Sequence, residues 1–186
     1  MKKIVYLATI SSALIAGGNY SYMGFDVGKA DNRHTTSLTG YSINGDNDYN
    51  EVRIKFGSGE DGGTKFQIVF NKIDYNSGIY DNKNNSLYEI GLDFIKEFEV
   101  TPLVFPFLKT GFSMGKMDTD FTADGNVREV SFNIGTGLSY KATDKIHMLV
   151  GVDQVWRKWS DVFVGPGTLE IKDNALKPYV GINYTF

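Results

Sequence analysis

The sequence predicts an all-β protein in which eight antiparallel strands form an up-and-down barrel. Three observations lead to this prediction. The chain of 186 residues is rich in glycine (21), phenylalanine (13) and tyrosine (11) and has only 4 prolines, a composition that favours strands over helices. Its apolar residues recur at every second position, which is the period of a strand. The connections between the periodic segments are alternately long and short, as in barrels whose strands run up and down.

The start of the chain predicts a signal peptide, residues 1–18, before a barrel over residues 19–186. Lys2 and Lys3 form a short positive region, an apolar run follows from Ile4 to Ile15, and the small residues up to Gly18 suit cleavage. The apolar run is too short to cross a bilayer as a helix, and no later run reaches the roughly 18 residues that a spanning helix needs. Any membrane-spanning part of the mature chain must therefore consist of strands.

Eight segments show the strand period. The clearest runs from Val130 to Tyr140, where mostly apolar residues at even positions alternate with serine, asparagine and glycine at odd positions. Pro102 and Pro106 confine the start of the fifth segment, because proline lacks the N–H that a central strand donates. The predicted strands cover residues 22–28, 51–56, 65–71, 88–94, 108–115, 130–140, 146–156 and 176–186.

The connections between these strands differ in length on the two sides of the predicted barrel. Long polar connections follow every odd-numbered strand: Ala30–Tyr49, Asp74–Ser86, Lys116–Asn126 and Lys158–Asp173. Short ones follow the even-numbered strands: Gly57–Thr64, Glu97–Leu103 and Lys141–Lys145. Long loops on one side and short turns on the other are typical of transmembrane barrels with both termini on the short-turn side.

The alternation by itself fits two kinds of barrel. A soluble lipocalin-like barrel turns its apolar face inward, and a transmembrane barrel turns it outward. The polar face carries acids and bases in equal number, as an enclosed lumen requires, and its many glycines leave space for long charged side chains. Aromatic residues near the strand ends suit membrane interfaces. These features favour the transmembrane barrel, with the predicted lumen charges Asp26, Glu51, Arg53, Lys55, Lys65, Glu89, Asp93, Lys109, Glu129, Asp153, Arg157 and Lys177.

The C-terminus carries a resemblance to a known family. Tyr179, Gly181, Tyr184 and Phe186 match the spacing of the assembly signal of bacterial outer-membrane proteins. With the predicted signal peptide and strands, the whole mature chain resembles the small OmpA/OmpX-type, porin-family-like eight-stranded barrels. This resemblance implies a location in the bacterial outer membrane and insertion by the outer-membrane assembly machinery. It also implies contact with outer-membrane lipids, including lipopolysaccharide.

Residues with catalytic or metal-binding potential are few. Of the 2 histidines, His147 is predicted on the lumen face near a tight turn. His34 is predicted in the first long loop beside Thr35, Thr36, Ser37 and Asp31, a mixture that could supply a base and a nucleophile.

Two acidic runs in the loops offer only a weak calcium pattern, without the glycine and glutamate of an EF-hand. They consist of Asp46 and Asp48, and of Asp118, Asp120 and Asp124. We therefore expect no cofactor and no metal. The formal net charge of −3 argues against nucleic-acid binding.

The sequence thus predicts a monomeric, non-enzymatic integral outer-membrane barrel with a structural, surface-interaction or minor-pore role. An open aqueous channel is not expected, because side chains fill the lumen of an eight-stranded barrel. Two alternatives remain open: an outer-membrane enzyme that modifies lipid A through His34, and a soluble periplasmic lipocalin-like carrier.

Overall fold

The structure, a computed structural model, describes residues 19–39, 41–80, 85–120, 122, 124–164 and 167–186 and contains ten strands. The predicted signal peptide, residues 1–18, lies outside the described residues. Within the described ranges, no helix is long and apolar enough to cross a membrane. The strands are β1 (Tyr20–Leu38), β2 (Tyr41–Asp46), β3 (Tyr49–Gly59), β4 (Thr64–Tyr75), β5 (Ser86–Glu97), β6 (Val104–Asp118), β7 (Asn126–Lys141), β8 (Ile146–Trp159), β9 (Val162–Val164) and β10 (Gly167–Thr185).

Eight strands, β1, β3 to β8 and β10, form a closed antiparallel barrel, which confirms the predicted fold. Each pairs with the next barrel strand along the chain, and β10 returns to pair with β1. This seam runs from Tyr22 opposite Thr185 to Leu38 opposite Leu169. The ladder is interrupted after Gly28, beside Pro178, which has no N–H to donate. The last strand therefore closes the barrel against the first.

The two remaining strands extend the barrel on its long-loop side. β1 continues to Leu38, β2 pairs with its far half, and β9 pairs with the start of β10. We call β2, residues 33–38 of β1, residues 167–174 of β10 and β9 the outer sheet. The predicted loops Ala30–Tyr49 and Lys158–Asp173 were therefore wrong. β2 is exposed on both faces, and its apolar alternation is limited to Tyr41 and Ile43, which is too short to reveal a strand.

The outward face of the barrel is an apolar belt. Phe66, Leu92 and Val180 are typical of it, with 54%, 64% and 55% of their surface exposed. On the inward face, the side chains predicted to be lumen charges are each at most 6% exposed. A soluble carrier with an apolar cavity requires the reverse arrangement, so that alternative was wrong.

The polarity of the two faces inverts at the long-loop edge of the belt. Along β4, Phe70 points outward into the belt, and the next outward residue is Lys72, whereas Ile73 and Tyr75 point inward and are buried. Beyond the belt, the barrel therefore has the polar outside and apolar inside of a water-soluble barrel. Its inward residues there form an apolar cap, which consists of Ala30, Tyr49, Ile73, Tyr75, Leu87, Met117, Val127, Val155, Trp159, Val162, Ile171 and Ala175.

Candidate functional site

The lumen contains a network of ion pairs with Asp153 at its centre. One carboxylate oxygen of Asp153 lies 2.8 Å from Lys109 Nζ, 3.6 Å from Lys177 Nζ and 3.9 Å from Arg53 Nη1. These cations belong to β6, β10 and β3, so a single carboxylate on β8 links four strands across the lumen. Arg53 also contacts Glu51 at 3.1 Å. Such a network offsets the cost of burying charge, which is large for an isolated ion.

The remaining predicted lumen charges pair on either side of this centre. Towards the long loops, Arg157 contacts Glu89 at 2.7 Å and Glu129 at 3.4 Å. Towards the short turns, Lys55 pairs with Asp26, and Arg53 also reaches Asp93 at 3.4 Å. With Lys65, which binds Glu97, each of the predicted lumen cations contacts at least one carboxylate.

Two buried carboxylates of the network were missing from the prediction. Glu97, 2% exposed, binds Lys65 Nζ at 2.8 Å, and Asp173, 4% exposed, lies 3.6 Å from Arg157. Both lay at the boundary of a predicted connection. The signal that could have found Glu97 is the inward period of β5, which continues from Asp93 to Glu97 without a break.

Glycines make room for several of these carboxylates. Gly111, Gly135 and Gly181 stand directly across from Asp93, Asp153 and Asp26 on the neighbouring strands. A Cβ atom at each glycine would come within 1.9, 2.1 and 1.8 Å of the facing carboxylate oxygen. Glycine on this face therefore allows the carboxylate to reach its cation across the lumen.

The ion-pair network lies between two apolar layers. The apolar cap covers it on the long-loop side, and a cluster of Ile95, Phe107, Leu149 and Tyr179 lies towards the short turns. The space left among Lys55, Lys109 and the side chains around them measures about 10 Å³, room for roughly one water molecule. This part of the lumen is packed rather than open.

The turn between β3 and β4 folds across the short-turn mouth. Asp61 in this turn accepts hydrogen bonds from Tyr20 and, at 3.2 Å, from Lys141 on β7, and it lies 3.7 Å from His147 on β8. Burial raises the pKa of the Asp61 carboxyl, but the hydrogen bond from Tyr20 and the charge of Lys65 outweigh burial and lower this pKa below its usual value. Asp61 therefore joins opposite sides of the mouth as a carboxylate.

His34 lies on β1 rather than in a loop, at the rim beyond the membrane belt. Its Nδ1 is 2.6 Å from Asp173, whose other oxygen accepts hydrogen bonds from Tyr75 at 2.8 Å and Trp159 at 3.0 Å. The acid that orients this imidazole is therefore Asp173, and the nearby Asp31 points outward into solvent.

The hydroxyl groups beside His34 have other partners. Thr35 donates to Asn44 at 2.8 Å, and the oxygens of Ser37 and Ser42 are 2.8 Å apart. The structure thus brings together the acid and the base of a possible catalytic group, without placing either hydroxyl against the imidazole.

The acidic runs lie on the long-loop side, where Asp46 and Asp118 are the last residues of β2 and β6. In the part of the chain that the structure describes, no group of three or more histidine, aspartate or glutamate side chains could hold a metal ion. One oxygen of Asp48 instead accepts a hydrogen bond from the Asn32 backbone N–H at 3.2 Å.

Three residues of the predicted assembly signal lie on β10, and Phe186 directly follows it. Tyr179 and Gly181 point inward, and Tyr184 and Phe186 point outward. The Phe186 N–H donates to the Ser21 carbonyl at 3.0 Å. The terminal residue thus extends the seam with β1 by one hydrogen bond.

The closed barrel, its apolar belt and its charged lumen together define a transmembrane β-barrel of the small eight-stranded class. A scan against protein-family models gives no match, and no curated protein sequence matches the chain. Among solved structures, it is similar to Neisserial surface protein A, with 15% identity, a TM-score of 0.56, and 89% of this chain and 97% of that chain covered.

Two further solved structures share the fold. The outer membrane protein AlkL has 10% identity and a TM-score of 0.57, with 91% of each chain covered. OprG from Pseudomonas aeruginosa has 11% identity and a TM-score of 0.54, with 91% of this chain and 96% of that chain covered. At these identities the likeness is one of fold. The predicted class is confirmed, together with the outer-membrane location, because closed barrels with this outward apolar belt span outer membranes.

Proposed function

We propose that this protein is a non-enzymatic outer-membrane barrel that acts from its outer surface and not through its lumen. The single observation that carries the proposal is the Asp153 network, which joins four strands across the lumen beneath the apolar cap. Passage of a solute would require several buried ion pairs to separate at once, and each separation leaves a charge without its partner. This argues against the minor-pore role.

Single-channel recording in planar bilayers tests this proposal. We expect no resolved conductance steps from the purified protein, while an open porin inserted under the same conditions serves as the positive control. Asp153→Ala removes the carboxylate shared by Lys109, Lys177 and Arg53, and it reports whether the network is the barrier. Conductance steps in the wild-type protein that change in size with Asp153→Ala would overturn the proposal.

The outer sheet supports a surface-interaction role. Tyr41, Ile43 and Phe163 stand beyond the belt with 83%, 73% and 84% of their surface exposed, and β2 and β9 are the edge strands of this sheet. Exposed apolar side chains on an edge strand are typical of surfaces that bind another chain. We expect the triple serine variant at these positions to insert normally and to lose surface adhesion, measured with whole cells. Unchanged adhesion would contradict this role.

A lipid A-modifying enzyme is the second candidate, favoured by the hydrogen bond between His34 and Asp173. This pair lies on the long-loop side, where an outer-leaflet substrate would be within reach. Under the main proposal, His34→Ala and Asp173→Asn leave the lipid A mass spectrum of the host unchanged. A modified lipid A species that disappears with both variants would establish the enzyme instead. We also propose that the outer-membrane assembly machinery and lipopolysaccharide are partners of this chain.

A further inference from the structure

A lateral groove crosses β6, β7, β8 and β10 at the long-loop edge of the belt. Its floor is aromatic: Phe112 lies beside Phe132, which stacks on Trp156 with ring centroids 6.0 Å apart. Lys158 and Lys172 line its upper end, away from the membrane. The groove measures about 450 Å³. It therefore combines an apolar part that continues the belt with a cationic part just beyond it.

The two lysines of this groove stand directly opposite each other. Lys172 on β10 is the cross-strand partner of Lys158 on β8, and both side chains point outward. Lys116 on β6 and Arg128 on β7 form a second pair of the same kind. Like charges in directly opposite positions destabilise a sheet. Two such pairs on neighbouring strands concentrate positive charge at this edge of the belt, where an anion would reduce the repulsion.

The acidic neighbours of these lysines lie farther from the membrane and contact them weakly. Glu170 is 3.5 Å from Lys172, and Asp161 is 3.9 Å from Lys158, with all four side chains more than 40% exposed. Exposed pairs at such distances contribute little. The cationic end of the groove therefore remains able to bind an anion from the membrane surface.

The position of these cations relative to the belt indicates where the anion comes from. In each barrel strand we identified the first outward residue beyond the belt. It is a cation in five of the eight strands and an acid in none. In chain order these residues are Lys29, Asn50, Lys72, Ser86, Lys116, Arg128, Lys158 and Asn174. At the short-turn edge, charges of both signs occur, including Glu60, Lys96, Glu99, Asp144 and Lys145. A single sign at one edge of the belt fits a surface of anionic lipid headgroups.

We propose that this groove binds an acylated lipid of the outer leaflet that carries a phosphate monoester. The phosphate lies between Lys158 and Lys172, where it offsets their repulsion, and an acyl chain lies along Phe132 and Trp156. This inference rests on the lipid contact proposed above, to which it gives a site and a chemical class, and it does not depend on the role of the outer sheet, because it concerns the lipid-facing side of the barrel.

Native mass spectrometry of the full chain in detergent micelles, titrated with dipalmitoyl phosphatidic acid, tests the proposal. Each basic residue near an anionic surface contributes about 1 kcal/mol, which is roughly a fivefold change in affinity. We therefore expect the double variant Lys158→Gln/Lys172→Gln to bind this lipid about 25-fold more weakly, on the same basis. Lys158→Arg/Lys172→Arg keeps both charges and should retain binding. Trp156→Leu should weaken binding of the lipid but leave the charge dependence in place.

Matched control variants distinguish lipid binding in the groove from a general attraction between basic residues and an anionic lipid. Lys96→Gln/Lys145→Gln removes the same charge at the short-turn edge and should leave the affinity unchanged, and heat-modifiable gel mobility verifies that every variant is folded. Equal loss of affinity in both double variants would overturn the proposal. So would equal binding of phosphatidylcholine, which lacks the monoester, or displacement of the lipid by inorganic phosphate at similar concentration.

A measurement without added lipid gives a second, independent outcome. In zwitterionic micelles only the exposed carboxylates of Asp161 and Glu170 offset the repulsion between Lys158 and Lys172, so Lys158→Gln should raise the stability against urea. Phosphatidic acid should then stabilise the wild-type protein more than this variant. A variant that is less stable than the wild type without anionic lipid would contradict the argument from like-charge pairing.

Discussion

Removal of the Asp153 charge should be the most damaging single change in the lumen. Asp153→Asn keeps the shape of the side chain beside Gly135 but leaves Lys109, Lys177 and Arg53 without their shared carboxylate. Breaking a buried ion pair by removing one partner costs about 3–5 kcal/mol, because the other charge stays buried. We expect a loss of this size in the free energy of unfolding.

Most of this loss should come from Lys109. Without Asp153, Lys177 keeps Glu51 at 2.6 Å, and Arg53 keeps Glu51 at 3.1 Å. Among the described residues, Lys109 keeps only weaker contacts, with Tyr179, whose hydroxyl is 3.2 Å away and whose ring centroid is 4.4 Å away. The cost of Asp153→Asn is therefore the cost of a buried ammonium without a carboxylate.

Removal of the cation Lys109 should reduce the free energy of unfolding less than removal of Asp153. Lys109→Met leaves Asp153 beside Lys177 and Arg53, so the carboxylate keeps two cations, and we expect a loss of about 1.5–3 kcal/mol, the range for a hydrogen bond to a charged group. When both substitutions are combined, no ammonium is left unpaired. The double variant should then be more stable than Asp153→Asn alone.

Urea titration of the protein in phospholipid vesicles, followed by tryptophan fluorescence, measures all of these values. Lys72→Met is the matched control, because Lys72 forms an exposed pair with Asp74 at 2.8 Å, and the loss of such a pair should change the stability far less than Asp153→Asn does. If Lys109→Met further destabilised the Asp153→Asn protein, the unpaired ammonium would not be the cause of the loss, and the reasoning would fail.

Three further predictions concern other parts of the barrel. Gly135→Ala should cost about 1–3 kcal/mol through overpacking against Asp153, whereas Gly45→Ala, with nothing within 4 Å of the new Cβ, should be neutral in the same urea titration. Because the pKa of Asp61 is lowered in the folded state, its contribution is present above the usual value of 3.8 and is lost as the pH falls through the lowered value. Stability curves of wild type and Asp61→Asn should therefore differ at neutral pH and converge in acid; a constant difference would contradict the shift. Deletion of Phe186 should slow outer-membrane insertion, measured by the fraction of heat-modifiable protein, and unchanged insertion would remove this residue from the assembly signal.

The barrel fold and the lumen face were accessible from the sequence for one physical reason. The pleat turns alternate side chains to opposite faces, so a segment such as 130–140 reveals which residues share a face without any knowledge of its neighbours. The same period, continued by two further inward positions, would also have included Glu97. β2 was missed because its apolar alternation is limited to Tyr41 and Ile43.

The pairing within the lumen was not accessible in this way. Lys177 binds Glu51, which is 126 positions away in the chain, and this contact depends on how far each strand is staggered when the barrel closes. The pair of His34 and Asp173 depends on the same closure, since the two residues face each other across the seam. The inversion of polarity was also missed. The alternation of apolar and polar residues continues past Phe70, but from Ile73 onward the apolar residues occupy the inward positions instead of the outward ones.

The inversion of polarity at the long-loop edge fixes the depth of the barrel in the bilayer. If the barrel sank by one outward position per strand, Lys29, Lys72 and Lys158 would enter the hydrocarbon, where a lysine costs up to roughly 2–4 kcal/mol at the midplane and less near the edge. If it rose by the same step, belt residues such as Phe70 would enter water. Tilting the barrel would bury lysines in the hydrocarbon on one side and expose belt residues to water on the opposite side. The barrel therefore holds the outer sheet at a defined height and tilt above the membrane, which sets how far a binding partner must approach.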